Sequence, residues 1–82
     1  MKLLCRNLDR STSEDELHAL FSEFGMVQSC NLVMDQESGK SKGFAFIEMP
    51  RPGEAKAAMK TLNNRTLGDS VIRVKKAGEN NG

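Results

Sequence analysis

The sequence predicts one small α+β domain in which two amphipathic helices cover one face of a four-stranded antiparallel sheet, in the split βαβ order β-α-β-β-α-β. Three observations predict it. Two stretches repeat their apolar residues at helical spacing, four read as strands of period two, the second with one irregularity, and polar breaks, most of them bearing glycine or proline, separate them. With 82 residues the chain has room for a single core of modest size. Residues 1–77 are expected to form the domain, and residues 78–82 a short, polar, mobile tail.

Lys2 to Asn7 alternates, with Leu3 and Cys5 on one face and Lys2, Leu4 and Arg6 on the other, and reads as the first strand. Ser13 and Glu16 have the spacing of a capping box. Leu17, Leu20, Phe21 and Phe24 then recur as one helical stripe. Gly25 is placed to end that helix in the left-handed conformation. Val27 to Met34 reads as the second strand, with Val27, Cys30 and Leu32 inward, a pattern that needs an irregularity near Gln28-Ser29. The polar run from Asp35 to Ser41 is a loop, so the second and third strands should form a hairpin.

After Pro50-Arg51-Pro52-Gly53, the residues Ala55, Ala58, Met59 and Leu62 give the second helix its stripe. Asn63-Asn64-Arg65 ends that helix and Gly68-Asp69 makes a turn. Ile72 and Val74 then alternate against Val71, Arg73 and Lys75 in the last strand.

The third strand, opening at Lys42, breaks the usual pattern. Its inward set, Gly43, Ala45, Ile47 and Met49, is small or aliphatic and suits a core. Its outward set is Lys42, Phe44, Phe46 and Glu48. Two phenylalanines stand where a half-buried strand carries polar groups, beside a cation, which is the chemistry of stacking on nucleic-acid bases.

Hydrophobic residues at 38% and charged residues at 28% fit a soluble globular domain. No window approaches the roughly 20 apolar residues of a bilayer span, and no apolar signal-peptide region precedes the first strand, so a cytoplasmic location without membrane contact is the expectation. The net charge of +1 conceals an uneven distribution. Asp9, Glu14, Asp15, Glu16 and Glu23 oppose only Arg10 in the first helical region, whereas Arg65, Arg73, Lys75 and Lys76 outnumber Asp69 and Glu79 near the end. Such a bipolar domain can hold a polyanion on one face.

Cys5 and Cys30 lie in separate apolar strand patterns and are expected to be reduced core residues. With the lone His18 they do not make a zinc set. No paired carboxylates or base-assisted nucleophile can be picked out, and the nearest phosphate-loop match, Gly39-Lys40-Ser41, has Met34 where the first glycine belongs. The expectation is a binding module without catalysis or cofactor.

Residues 42–49, Lys-Gly-Phe-Ala-Phe-Ile-Glu-Met, resemble the octamer of the RNA recognition motif (RRM). Met49 departs from its final aromatic and Ile47 replaces its valine. The family's second motif, a hexamer, corresponds to Leu3-Leu4-Cys5-Arg6-Asn7-Leu8, in which Leu4 stands at a common stacking-aromatic position. Phe24-Gly25 and Ile72-Arg73-Val74 extend the resemblance, which spans residues 2 to about 77 and is similar to small stand-alone bacterial proteins of this family.

The resemblance implies a ferredoxin-like fold with the first and third strands at the sheet centre, which would separate Cys5 from Cys30. It also implies single-stranded RNA as partner, with Phe46 stacking under a base and Phe44 against sugars. Lys2, Arg6, Lys42, Arg73 and Lys75 would meet phosphates or base edges, Asn31 would add amide hydrogen bonds and Leu4 an apolar contact. Lys40 is an exposed loop lysine. Single-stranded DNA is a variant of the same reading. The alternative function is a protein-interaction domain that uses the helices or the sheet.

Overall fold

The computed structural model describes residues 1–77, so the tail expected at 78–82 lies outside the described residues. The elements are β1 (Lys2–Arg6), α1 (Glu14–Ser22), β2 (Ser29–Met34), β3 (Ser41–Glu48), α2 (Pro52–Leu62), β4 (Thr66–Leu67), β5 (Ser70–Val71) and β6 (Arg73–Lys76). The main sheet runs β2-β3-β1-β6 with every neighbouring pair antiparallel. This is the predicted ferredoxin-like order, with a β4–β5 hairpin built around the expected Gly68-Asp69 turn. Each hairpin strand has only two residues, too few to show a period.

Alternation along the strands produces the core. Leu3, Cys5, Ala45 and Ile47 are fully buried from the sheet, and Leu17, Phe21, Ala55, Ala58 and Leu62 meet them from the helices. Met49 is also fully buried, as its inward position predicted. Burial of one such large aliphatic side chain stabilises the fold by about 1.5–3 kcal/mol.

Both helix starts follow from local chemistry. At α1, Ser13 Oγ accepts from the Glu16 amide at 3.1 Å while Glu16 Oε1 accepts from the Ser13 amide at 2.9 Å, the expected capping box. At α2, Pro52 occupies the first turn, where its missing N–H leaves no helical bond unmade.

One local expectation is corrected and another gains a second irregularity. Helix α1 ends at Ser22 with Glu23 as a right-handed C-cap, and Gly25 has φ 156°, outside the left-handed helical region. What Gly25 provides is room: a Cβ there would overlap the Glu54 side chain, whose Oε1 accepts from the Met26 amide at 3.0 Å. The irregularity expected near Gln28-Ser29 is present: the Gln28 amide donates to the Glu48 carbonyl at 2.7 Å although Glu48 is the partner of Ser29, and Val27, Cys30 and Leu32 all pack on the core, with β2 itself beginning at Ser29. A second shift lies between Leu32 and Met34, where the partner strand runs from Ala45 back to Ser41. Across that shift, β3 carries the extra residues and Gly43 sits at φ 86°. A side chain at that φ is strained, so the bulge explains the octamer glycine.

The outer edges of the sheet are closed by different groups. At β2, Glu14 Oε2 accepts from the Leu32 amide at 2.8 Å. At β6, Asn63 Oδ1 accepts from the Val74 amide at 3.1 Å. Both contacts occupy amides that an edge strand would otherwise leave open.

Candidate nucleic-acid interface

The sheet face away from the helices carries the expected outward residues, and the strand register aligns them. Asn31 pairs with Phe46, Phe46 with Leu4, and Leu4 with Lys75, so one row crosses all four strands. On one side of that row Lys2 lies opposite Glu48. On the other side Arg6 lies opposite Arg73.

The rings are less open than the alternation implied. Phe44 and Phe46 are both half-buried, while Met26, Met34 and Val71 are the exposed large apolar side chains among the described residues. The reason is mutual packing: the two rings meet edge to face with centroids 6.0 Å apart. Lys2 Nζ also stands 5.2 Å from the Phe46 centroid, over the ring. At an exposed site such a contact stabilises by about 0.5–1 kcal/mol, and a base arriving on that face has to displace it.

Arg6 and Arg73 are like charges directly opposite each other, a cross-strand arrangement that destabilises the free protein and is relieved by an anion. Arg73 is held in place, with Nη1 donating to Asn64 Oδ1 at 2.6 Å. Lys75, Asn31 and Lys42 are exposed on the same face. Lys40 is exposed in the β2–β3 loop and belongs to none of the rows.

At the end of the face by Phe44, a cavity of about 310 Å³ has Arg6, Arg10, Lys42 and Phe44 among its lining residues. Arg10 is the residue that sequence reasoning did not place here. It lies in the turn after β1, where no periodicity assigns a direction, and in sequence it is merely the lone cation of an acidic stretch.

That turn is fixed by two side chains. Asn7 adopts φ 61° and its Nδ2 donates to the Val71 carbonyl at 2.6 Å. Asp9 accepts from the Ser11 amide, the Ser11 hydroxyl and the Asp69 amide at 3.0, 2.9 and 3.1 Å. These bonds hold the Asp9 carboxyl below its usual range, with the Ser11 amide the largest cause. They also tie the turn carrying Arg10 to the β4–β5 hairpin.

The cysteines stand apart from this face. Burial raises the Cys5 thiol to about 12, with a smaller contribution from Cys30, and burial followed by Glu14 and Asp15 raises the Cys30 thiol to about 11. Both thiols are free, and β3 lies between their strands. Two inter-strand spacings, about 9–10 Å, exceed disulfide reach.

The family model described as the RNA recognition motif matches residues 3–73. This chain belongs to the RNA recognition motif family. The RRM is 39% identical over 72 residues to polyadenylate-binding protein 5 of Arabidopsis thaliana, across 88% of this chain. It spans only 10% of that relative's length. Among solved structures, the RRM superposes on the crystal structure of RNA Binding Protein PG1 with a TM-score of 0.92 at 30% identity, covering 100% of this chain and 99% of the other. It matches the Sxl-lethal protein/RNA complex with a TM-score of 0.90 at 28% identity, covering 98% of this chain and 48% of that one.

Proposed function

We propose that this RRM binds single-stranded RNA on its open sheet face and performs no catalytic step. The observation that carries the reading is the row Asn31–Phe46–Leu4–Lys75, which presents amide, ring, apolar and cationic groups side by side across four strands. A base stacks on Phe46 as Lys2 swings from the ring toward a phosphate, and Phe44 packs against the neighbouring sugar. Arg6 and Arg73 take an anion between them, and Lys42 with Arg10 extends that positive end. Unstacked bases suit such a face, whereas duplex RNA keeps its base edges poorly accessible.

Leu4 gives apolar contact without ring overlap. A base–aromatic stack is worth about 1–3 kcal/mol, so the face depends on its two rings and binds more weakly than one with a third aromatic. Titration of fluorescent single-stranded oligonucleotides into wild type, Phe46→Ala and Phe44→Ala tests this. Binding by wild type that falls in both variants and weakens with salt is expected. Absent wild-type binding, or equal binding by all three, would overturn the reading. Matched RNA and DNA strands in competition then measure the preference for the 2′-hydroxyl.

The aliphatic Leu4 at the centre of the row favours a second reading, a protein-interaction domain. Chemical-shift changes confined to α1 or α2 on addition of a protein ligand, with none on β1 and β3 on addition of RNA, would support it.

A further inference from the structure

A second groove lies around the β6 edge, between that strand and α2. It has a volume of about 550 Å³, an apolar floor that includes Met59 and Val74, and a rim formed by Lys56, Lys60, Lys75 and Lys76. None of its lining residues among the described residues is acidic. Lys75 belongs both to this rim and to the row that crosses the open face, so the groove continues the proposed binding surface around the sheet edge.

The opposite edge has the reverse electrostatics. Glu14 covers β2 through its bond to the Leu32 amide, and Asp15 and Glu16 follow it in the first turn of α1. A polyanion crossing the four strands therefore meets carboxylates if it leaves over β2 and lysines if it leaves over β6.

We infer that the β6–α2 groove is a second subsite for the same nucleic-acid strand, receiving the backbone phosphates of nucleotides that run past the sheet edge. The inference rests on the RNA-binding reading above and adds a direction to it. Because, among the described residues, lysines line the β6 edge while Glu14, Asp15 and Glu16 outnumber Arg10 at the β2 edge, only one end of the strand gains from being longer. Lys56 and Lys60 are exposed on α2 and play no part in the open face, so changing them separates the two subsites.

The test uses random-sequence RNA of about four nucleotides, a short footprint for a single-strand site, and the same RNA extended at its 5′ or its 3′ end. Each is titrated into wild type and into the double variant Lys56→Glu/Lys60→Glu at about 0.15 M salt, where screening acts within about 8 Å. Extension at one end only should tighten wild-type binding, and the double variant should lose that gain while holding the short RNA within about twofold of wild type. Each single-strand phosphate contact adds about 0.7 to the salt slope. Between about 50 and 200 mM salt the wild-type complex with the extended RNA should therefore weaken roughly sevenfold more than the variant's if two contacts are lost.

Lys56→Gln/Lys60→Gln, which removes charge without reversing it, should reproduce the loss. No gain from either extension, equal gain from both, or a gain retained in the double variants would overturn the second subsite and leave the sheet reading standing. Failure of the short RNA to bind wild type would instead remove the sheet reading. Amide shifts at Lys56 and Lys60 with a polyglutamate peptide, absent with extended RNA, would overturn the inference in favour of an acidic protein partner.

Discussion

On the helix side of β3, Ala45 and Ile47 are fully buried, while on the other side of the same strand Phe44 and Phe46 keep part of each ring open to solvent. The larger side chains are therefore on the less buried face. Stability alone favours the opposite arrangement, since apolar burial scales with the area removed from water. The contrast separates two tasks on one strand: the inward residues hold the sheet to its helices, and the outward residues are kept for a ligand. Substitutions on the two sides should separate in the same way.

The largest effect is expected inside. Ile47→Ala should destabilise the domain by about 2–5 kcal/mol, a melting-temperature loss of more than about 8 °C for a domain of this size. RNA affinity measured well below the transition should change little. Phe46→Ala should do the reverse, weakening single-strand binding by about 1–3 kcal/mol with a much smaller thermal shift. If calorimetry finds Phe46→Ala as destabilising as Ile47→Ala, the division of labour along β3 is wrong.

Leu4 offers a way to sharpen the contrast. It sits beside Phe46 in the central row and is half-buried, so Leu4→Phe supplies a further ring where the face has none. Binding should tighten by about 1 kcal/mol, roughly fivefold, the low end of one stack. Unchanged or weaker binding would show that the row is not a continuous stacking platform.

The smallest expected effect lies at the rim. The Asp9 carboxyl is lowered in the folded state, so it contributes stability above the ordinary carboxylate range and loses it as pH falls through the folded value. Asp9→Asn should therefore melt at a lower temperature than wild type at neutral pH, with the difference narrowing on acidification. A gap that stays constant in thermal melts between about pH 6 and pH 2 would remove that carboxylate from the account.

Much of this was legible because period and spacing report local geometry directly. Alternation assigned Met49 to the core and Phe46 to the open side, and Ser13 with Glu16 marked the start of α1. The β3 bulge was less accessible, since the inward pattern of β2 was satisfied by an irregularity at Gln28-Ser29 while the register shift lies opposite Gly43. Arg10 reaches the site only because Asn7 and Asp9 fasten its turn to a hairpin 64 and 60 positions later, contacts without a local signature. The half-burial of Phe44 and Phe46 depends on ring packing, which alternation does not describe.

The most direct test of the central claim is amide chemical-shift mapping during titration with single-stranded RNA. The account predicts that the largest changes fall on Leu4, Asn31, Phe44, Phe46 and Lys75, with little change on α1. Changes concentrated on α1, with the Asn31–Phe46–Leu4–Lys75 row silent, would contradict it.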